Sequence, residues 1–318
     1  MLSRESVESV RPTTLFSGMP LALMSVPKAT IASPVRRGLQ NATHDNVGVS
    51  LPTGNDDGYE QRLISSFALL HNLVEELNKS PVISPRNMAM LIDTSFDFRS
   101  DASGKDPDAS SPTLRLYHKL LWSKALPSGR LFDLDDTVRG VYLHHGSELG
   151  EFFLSSDSVV QTFTRWRRMR HITELFTEQE NEAFRTIGYT IGGMMVFPGN
   201  RIDGKQTING ARGCITKIAD RLDLTLECIR RHYLGLGSPL GETLERYGDF
   251  FALFGNFEGY VDFFILQDLV TDDYSAVRFF TPFDNFNTSS MPKDGETYKE
   301  YRRLSIEFIK ARNCRIDL

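Results

Sequence analysis

Apolar residues settle into a readable period only from about residue 60 onward. From Glu60 to Lys79, Leu63, Phe67, Leu70, Leu73, Val74 and Leu77 recur at the spacing of one helix face, and Pro81 and Pro85 stop the segment. Phe96 and Phe98 alternate with Asp97 and Arg99, which predicts a half-buried strand over 90–99. Ser111 as a cap and Pro112 at the first helical position open a helix with a Leu114, Tyr117, Leu121 stripe. Short strands are expected at 131–134 and 140–144, and the pattern over 148–160 fits strand and helix equally. Thr177 and Glu180 form a capping box. The helix they open runs to about Ile191, buries Ala183, Phe184, Ile187 and Ile191, and ends at Gly192–Gly193. Met194–Phe197 and Gln206–Asn209 then read as strands around a PGNRIDG loop.

Beyond Thr216 the period becomes helical. Ile218, Leu222, Leu226, Ile229 and Tyr233 line one face of a long helix. Two more helices are expected at 239–254 and 258–270, a strand at 276–280 and a terminal helix at 297–311. Thirteen aromatics between Tyr247 and Phe286 mark the main core, because aromatic rings bury the most area per residue. The fold class is α+β, with short strands in the first half of the main domain packed on a mainly helical C-terminal half. Residues 1–59 show neither period and are rich in small and turn-forming residues, which predicts a disordered or loosely attached leader. Residues 60–86 form the amphipathic helix and a linker, and 87–318 a single globular domain, with Met88 or Met90 as alternative starts. Gly18–Val26 is apolar and follows Arg4 and Arg11, but Pro20 and Pro27 interrupt it, so an unstructured leader is preferred to a signal peptide.

Composition narrows the classes. Of 318 residues, 40% are apolar and 24% charged, as in ordinary globular domains. A net charge of −5 opposes a broad nucleic-acid footprint and leaves the run Arg165–Arg170 as the one route to such a partner. No apolar stretch is long enough to cross a membrane. Cys214, Cys228 and Cys314 are far apart and form no C-x-x-C pair, which predicts buried thiols in a reducing cytoplasm, with no disulfide partner and no zinc site. No metal ligands stand out, and the cofactor is left unknown.

Several strings are familiar: SPTLRLYHKLLWSK (111–124), SELGEFFLSSDS (147–158), TINGARG (207–213), DRLDLTLECIRRHYLG (220–235) and GYVDFFILQDLV (259–270). In this order they resemble a widespread bacterial family of uncharacterised proteins, a domain of unknown function, over most of residues 90–318. The resemblance implies a soluble, single-domain protein and assigns no catalytic residue. The first ninety residues have no counterpart in it.

The densest candidate chemistry lies in 194–213. Gly199 to Lys205 matches G-x-x-x-x-G-K, but Gln206 replaces the magnesium-ligating hydroxyl and Thr207–Gly210 is β-prone, so a nucleotide triphosphate loop is disfavoured. A softer anion site survives. Gly210 and Gly213 precede a helix whose amides would face a phosphate, with Arg201, Lys205 and Arg212 as cationic donors. The competing reading is a structural turn with Arg212 paired to an acid such as Asp220. His144, His145 and Glu148 are the candidate proton-transfer residues, although a strand lets only one of the two histidines point inward. Arg139 and His144 also match the R-x4-H spacing of helical ribonucleases, and Arg165 with His171 a looser version, but the first pair sits on a strand-like stretch. Ser155–Ser158 lacks the G-x-S-x-G elbow and reads as turn or cap chemistry. Trp166 within the basic run offers a stacking surface for a base, against the simpler reading of a solvated helix face answering Glu178–Glu182. Asp223, Glu227, Arg230 and Arg231 suit helix-stabilising pairs. The leading expectation is an enzyme or binding protein for a phosphate-bearing small molecule or nucleotide. A protein-interaction module is its rival, and a ribonuclease-type toxin a third reading.

Overall fold

The computed structural model describes residues 92–317. The leader over 1–59, the helix over 60–79 and the boundary near 87 lie outside the described residues. Residues 92–99 form turns rather than the expected strand. Asp93 Oδ1 accepts from the Ser95 amide at 2.9 Å and Asp97 Oδ1 from the Arg99 amide at 3.0 Å. These local bonds give the backbone an alternative to a sheet ladder. Phe98 is still buried, which is the half of the alternation that survives.

Helix α1 (Pro107–Ser110) is a single turn and leads directly into α2 (Pro112–Trp122). Ser111 Oγ accepts from the Leu114 amide at 3.1 Å, and Leu114, Tyr117 and Leu121 are buried as their spacing predicts. Strands β1 (Leu143–Ser147), β2 (Gly150–Ser158) and β3 (Met194–Pro198) form an antiparallel sheet in that order. His144 opposes Phe153, and Ser155 opposes Phe197. The ambiguous 148–160 segment is therefore strand. Of the shorter expected strands, 131–134 keeps only an Ala125–Leu131 bridge, and 140–144 begins at Leu143.

After the one-turn α3 (Arg170–Thr173), helix α4 (Glu178–Gly188) carries the capping box as expected. It stops before Ile191, turns Ala183 to solvent and buries Asn181 instead. Gln206–Asn209 is not a strand: Thr207 caps α5 (Ile208–Cys214), its Oγ1 accepting from the Gly210 amide at 3.2 Å while Ile208 and Ala211 enter the core. The long helix begins later than Thr216, as α6 (Leu222–Tyr233), after a turn in which Ala219 and Asp220 hold positive φ. The expected 239–254 helix divides into α7 (Gly241–Arg246) and α8 (Gly248–Ala252). The 258–270 helix is α9 (Phe257–Phe263) followed by a 3-10 turn. The 276–280 strand reduces to a Val270–Val277 bridge. Helix α10 (Gly295–Ile316) closes the chain, with Asp294 Oδ1 accepting from the Thr297 amide at 2.7 Å.

Strands in the first half and helices in the second give the α+β architecture. Its centre is aromatic: Phe250, Phe254, Tyr260, Phe263 and Phe264 meet at ring distances of 4.9 to 5.3 Å. Among the described residues no helix is long and apolar enough to cross a membrane.

Candidate functional site

The candidate proton-transfer residues divide between the two faces of β1. His144 is half-buried on one face, where its ring lies tilted 5.1 Å from Phe153 and its Nε2 meets Glu151 Oε2. His145 is buried on the other, 4.2 Å from the Phe132 ring, with Nδ1 at 2.8 Å from the Asp133 carbonyl. Desolvation lowers its pKa, so this imidazole is a neutral core group. Glu148 is exposed and its carboxylate takes Arg130 Nη1 at 2.6 Å. The three side chains do not converge on one cleft.

Arg212 is fully enclosed. Its guanidinium donates to Asp157 Oδ2 at 2.6 Å, to the Asp220 carbonyl at 3.1 Å, to Thr225 Oγ1 at 3.2 Å and to the Ser158 carbonyl at 3.3 Å. Asp220 Oδ1 stands 3.6 Å from Nε. Every direction of the fork is committed inside the protein, so Arg212 is not available to a solute anion. Gly210 and Gly213 lie within α5 rather than in a turn feeding a helix, and the Gly210 amide is already taken by Thr207. Arg201 and Lys205 are exposed on the loop between β3 and α5, on a surface that Arg212 does not reach. Glu227 and Asp223 are likewise consumed, by Arg230 and Arg231 at 2.8 and 2.7 Å and by Arg221 at 2.5 Å.

The other side of the Asp157–Arg212 pair opens on a cleft of about 830 Å³. Helix α1, the start of α2, the second half of β2 and the 136–142 loop form its walls. Asp106, Asp108, Asp136 and Asp157 supply carboxylates, and Ser155, Ser156 and Tyr142 hydroxyls. Among the described residues Arg115 is the one cation of the lining, and its Nη2 is spent on the carbonyls of Asp136 and Val141. Asp106 is there as a cap, accepting from the Asp108 amide at 3.3 Å. Asp108 has no such role: its Oδ1 is enclosed and has no hydrogen-bond partner among the described residues. Burial, followed by the negative charge of Asp157, pushes its carboxyl well above the usual carboxylate range. Asp157 also rises, to about 6, because burial outweighs the attraction of Arg212 and Asp220 repels it.

Two carboxyls thus share one polar cleft with unequal proton affinities. The sequence pattern singles out neither: Asp157 falls in the Ser155–Ser158 run of turn or cap chemistry, and Asp108 in no periodic stretch. The available signal was the D-P-D triplet before a capped helix, and an acid flanked by serines near the end of the 148–160 stretch. Among the described residues, no group of three or more His, Cys, Asp or Glu side chains is gathered to hold a metal ion.

A family model matches residues 92–316. The chain belongs to DUF6994, a family of unknown function. No curated protein and no solved structure matches it. Two of the five strings that carry the resemblance line this cleft, and two more stand behind it through the Arg212 contacts with Asp157 and Asp220. SPTLRLYHKLLWSK brings Ser111 and Arg115, SELGEFFLSSDS brings Ser155 to Asp157, TINGARG brings Arg212, and the next string begins with Asp220. Asn209 ties two of them together, donating to Ser155 Oγ at 3.0 Å and to the Ser156 carbonyl at 3.2 Å.

Proposed function

We propose that this member of DUF6994 is a general acid–base enzyme whose working pair is Asp108 and Asp157. The enclosed, unpartnered Oδ1 of Asp108 carries the proposal. A buried carboxylate without a partner costs stability, and such groups persist where chemistry needs them. With its pKa raised well above the usual carboxylate range, Asp108 holds its proton to higher pH than an ordinary carboxyl and serves as the acid. Asp157, bonded to Arg212, is ionised above about pH 6 and serves as the base. Pairs whose environments push their proton affinities apart are the usual means of running both steps in one site.

The cleft favours an uncharged, hydroxyl-rich substrate such as a saccharide. Its carboxylates repel phosphate, and its serine and tyrosine hydroxyls offer hydrogen bonds to sugar-like groups. The expected phosphate-bearing ligand would need the Arg201, Lys205 and Arg212 grouping, from which the inward Arg212 withdraws. Three free thiols, two of them exposed, suit a reducing compartment.

Aryl glycosides assayed from pH 4 to 9, with melting temperatures for Asp108→Asn and Asp157→Asn, test the reading. Turnover should have an acid limb near pH 6, and Asp108→Asn should reduce it about 100-fold or more. Asp108→Asn should also raise the melting temperature, because it removes an uncompensated buried acid. Asp157→Asn should lower it by breaking the Arg212 pair. A lower melting temperature for Asp108→Asn would make that carboxyl structural and end the proposal.

A further inference from the structure

The basic run lies outside the acidic cleft, and most of its charge is without an acidic partner among the described residues. Buried Met169 and Ile172 anchor a 3-10 turn (Arg167–Met169) and α3, so Arg165, Arg167, Arg168, Arg170 and His171 are exposed. The acids expected to answer them are engaged elsewhere. Glu178 and Glu182 pair with Arg185, Glu182 also with Arg99 at 2.9 Å, and Glu180 holds the Thr177 cap. Arg170 meets Glu174 at 3.6 Å; among the described residues Arg165, Arg167 and Arg168 form no ion pair.

These cations line a continuous strip. A shallow depression of about 690 Å³ is bounded by Trp166, Arg167, Arg168 and Gly213. Arg168 is shared with a second hollow of about 300 Å³ that His171 and Lys293 also line. Lys293 is in turn shared with a third, of about 270 Å³, which adds Lys217. Among the described residues Asp284 is the one acid on the lining, and its carboxylate is already bonded to the Thr288 hydroxyl at 2.6 Å. Trp166 is half-buried with its edge against Phe163, and the Arg168 guanidinium lies 4.6 Å over its ring. A ring capped by a guanidinium within a row of cations is the pairing that holds a base and tracks its phosphates.

We propose that this strip binds single-stranded nucleic acid, with a base against Trp166 and the backbone running past Arg167 and Arg168 toward Lys293 and Lys217. The chain as a whole is acidic, so the attraction is local and strongly dependent on salt. The proposal is independent of the acid–base cleft and survives or fails without it.

The full chain should bind a labelled oligouridylate 12-mer at low salt, followed by anisotropy and by tryptophan quenching. Trp122 is fully enclosed, so quenching reports Trp166. The log–log salt slope should be about −2 to −3, as expected at roughly −0.7 per neutralised phosphate. Arg167→Glu with Arg168→Glu, both exposed, should weaken binding about tenfold or more and flatten that slope. Trp166→Leu should weaken it by about tenfold with the slope retained, as loss of one stacked base does. Absence of binding at low salt, or indifference to the double charge reversal, would overturn the proposal. So would capture by phosphatidylserine vesicles with no affinity for the oligonucleotide, which would make the strip a membrane-facing surface.

Discussion

At the scale of single residues, burial sets the proton chemistry. His118 is enclosed in the core, with Nδ1 at 3.0 Å from the Tyr142 hydroxyl and Nε2 without a partner among the described residues, and desolvation holds it down to about 3. The unfolded imidazole titrates near 6.5, so below that pH the unfolded chain binds the extra proton. The contribution of His118 is therefore full above about 6.5 and is lost as pH falls toward 3, at up to about 1.4 kcal/mol per pH unit. Asp157 and Asp108 act with the opposite sign. Their folded pKa values are raised, so their contribution is greatest below about 4 and declines as pH rises, through about 6 for Asp157. Urea unfolding at pH 4 and 7 separates the two effects. His118→Gln should lose less stability than the parent on acidification, and Asp108→Asn should lose more. Parallel losses in all three proteins would show that these groups do not dominate the pH response. The residue types were visible in the chain, but their enclosure was not. Nothing local in Asp106-Pro107-Asp108 says that one acid caps a helix while its neighbour is left without a partner.

At the scale of elements, caps were legible and lengths were not. Ser111 with Pro112, and Thr177 with Glu180, act within four residues, so the chain itself contains both partners of each bond. The 206–209 segment has β-prone side chains, yet the capping hydroxyl of Thr207 and the packing of Ile208 and Ala211 hold it as the start of a helix. Gly192 and Gly193 likewise do more than end a helix. A Cβ on Gly192 would stand 2.5 Å from both Asn313 Oδ1 and the Ile309 carbonyl, and its amide donates to that Oδ1 at 2.6 Å. Helix α10 can approach only because no side chain is there. Gly192→Ala should destabilise by about 1–3 kcal/mol, the usual range for overpacking. Gly213→Ala is its control: the nearest outside atom is 4.0 Å away, and alanine in a helix should add up to about 0.5–1 kcal/mol. Equal melting temperatures for the two variants would refute the close-approach account.

At the scale of the whole molecule, one side chain joins the three parts of the fold. Arg312 on α10 is fully enclosed and donates to the carbonyls of Gly192 at 3.1 Å, Met194 at 2.7 Å and Phe264 at 2.9 Å. It thereby ties α10 to the start of β3 and to the end of α9. Among the described residues it forms no ion pair, and burial lowers its pKa to about 9. Arg312→Met keeps most of the volume but strands three buried acceptors, each worth about 1–3 kcal/mol when left unmade. A loss of about 3 kcal/mol or more is expected in denaturant titration, after allowance for relaxation. A loss under about 1 kcal/mol would mean that these carbonyls find other donors.

The chain alone determined the fold class, the capped starts of α2 and α4, the β3 strand and the aromatic centre, because each rests on a period or a cap contained within a few residues. Tertiary structure decided which charges are inside. Arg212 lies 55 positions from Asp157, and Asp108 meets it only through the placement of α1 against β2. No local pattern encodes those distances. A cation that read as a hand for an anion became the brace behind a carboxyl pair, since enclosure and partner choice depend on chain segments far apart in order.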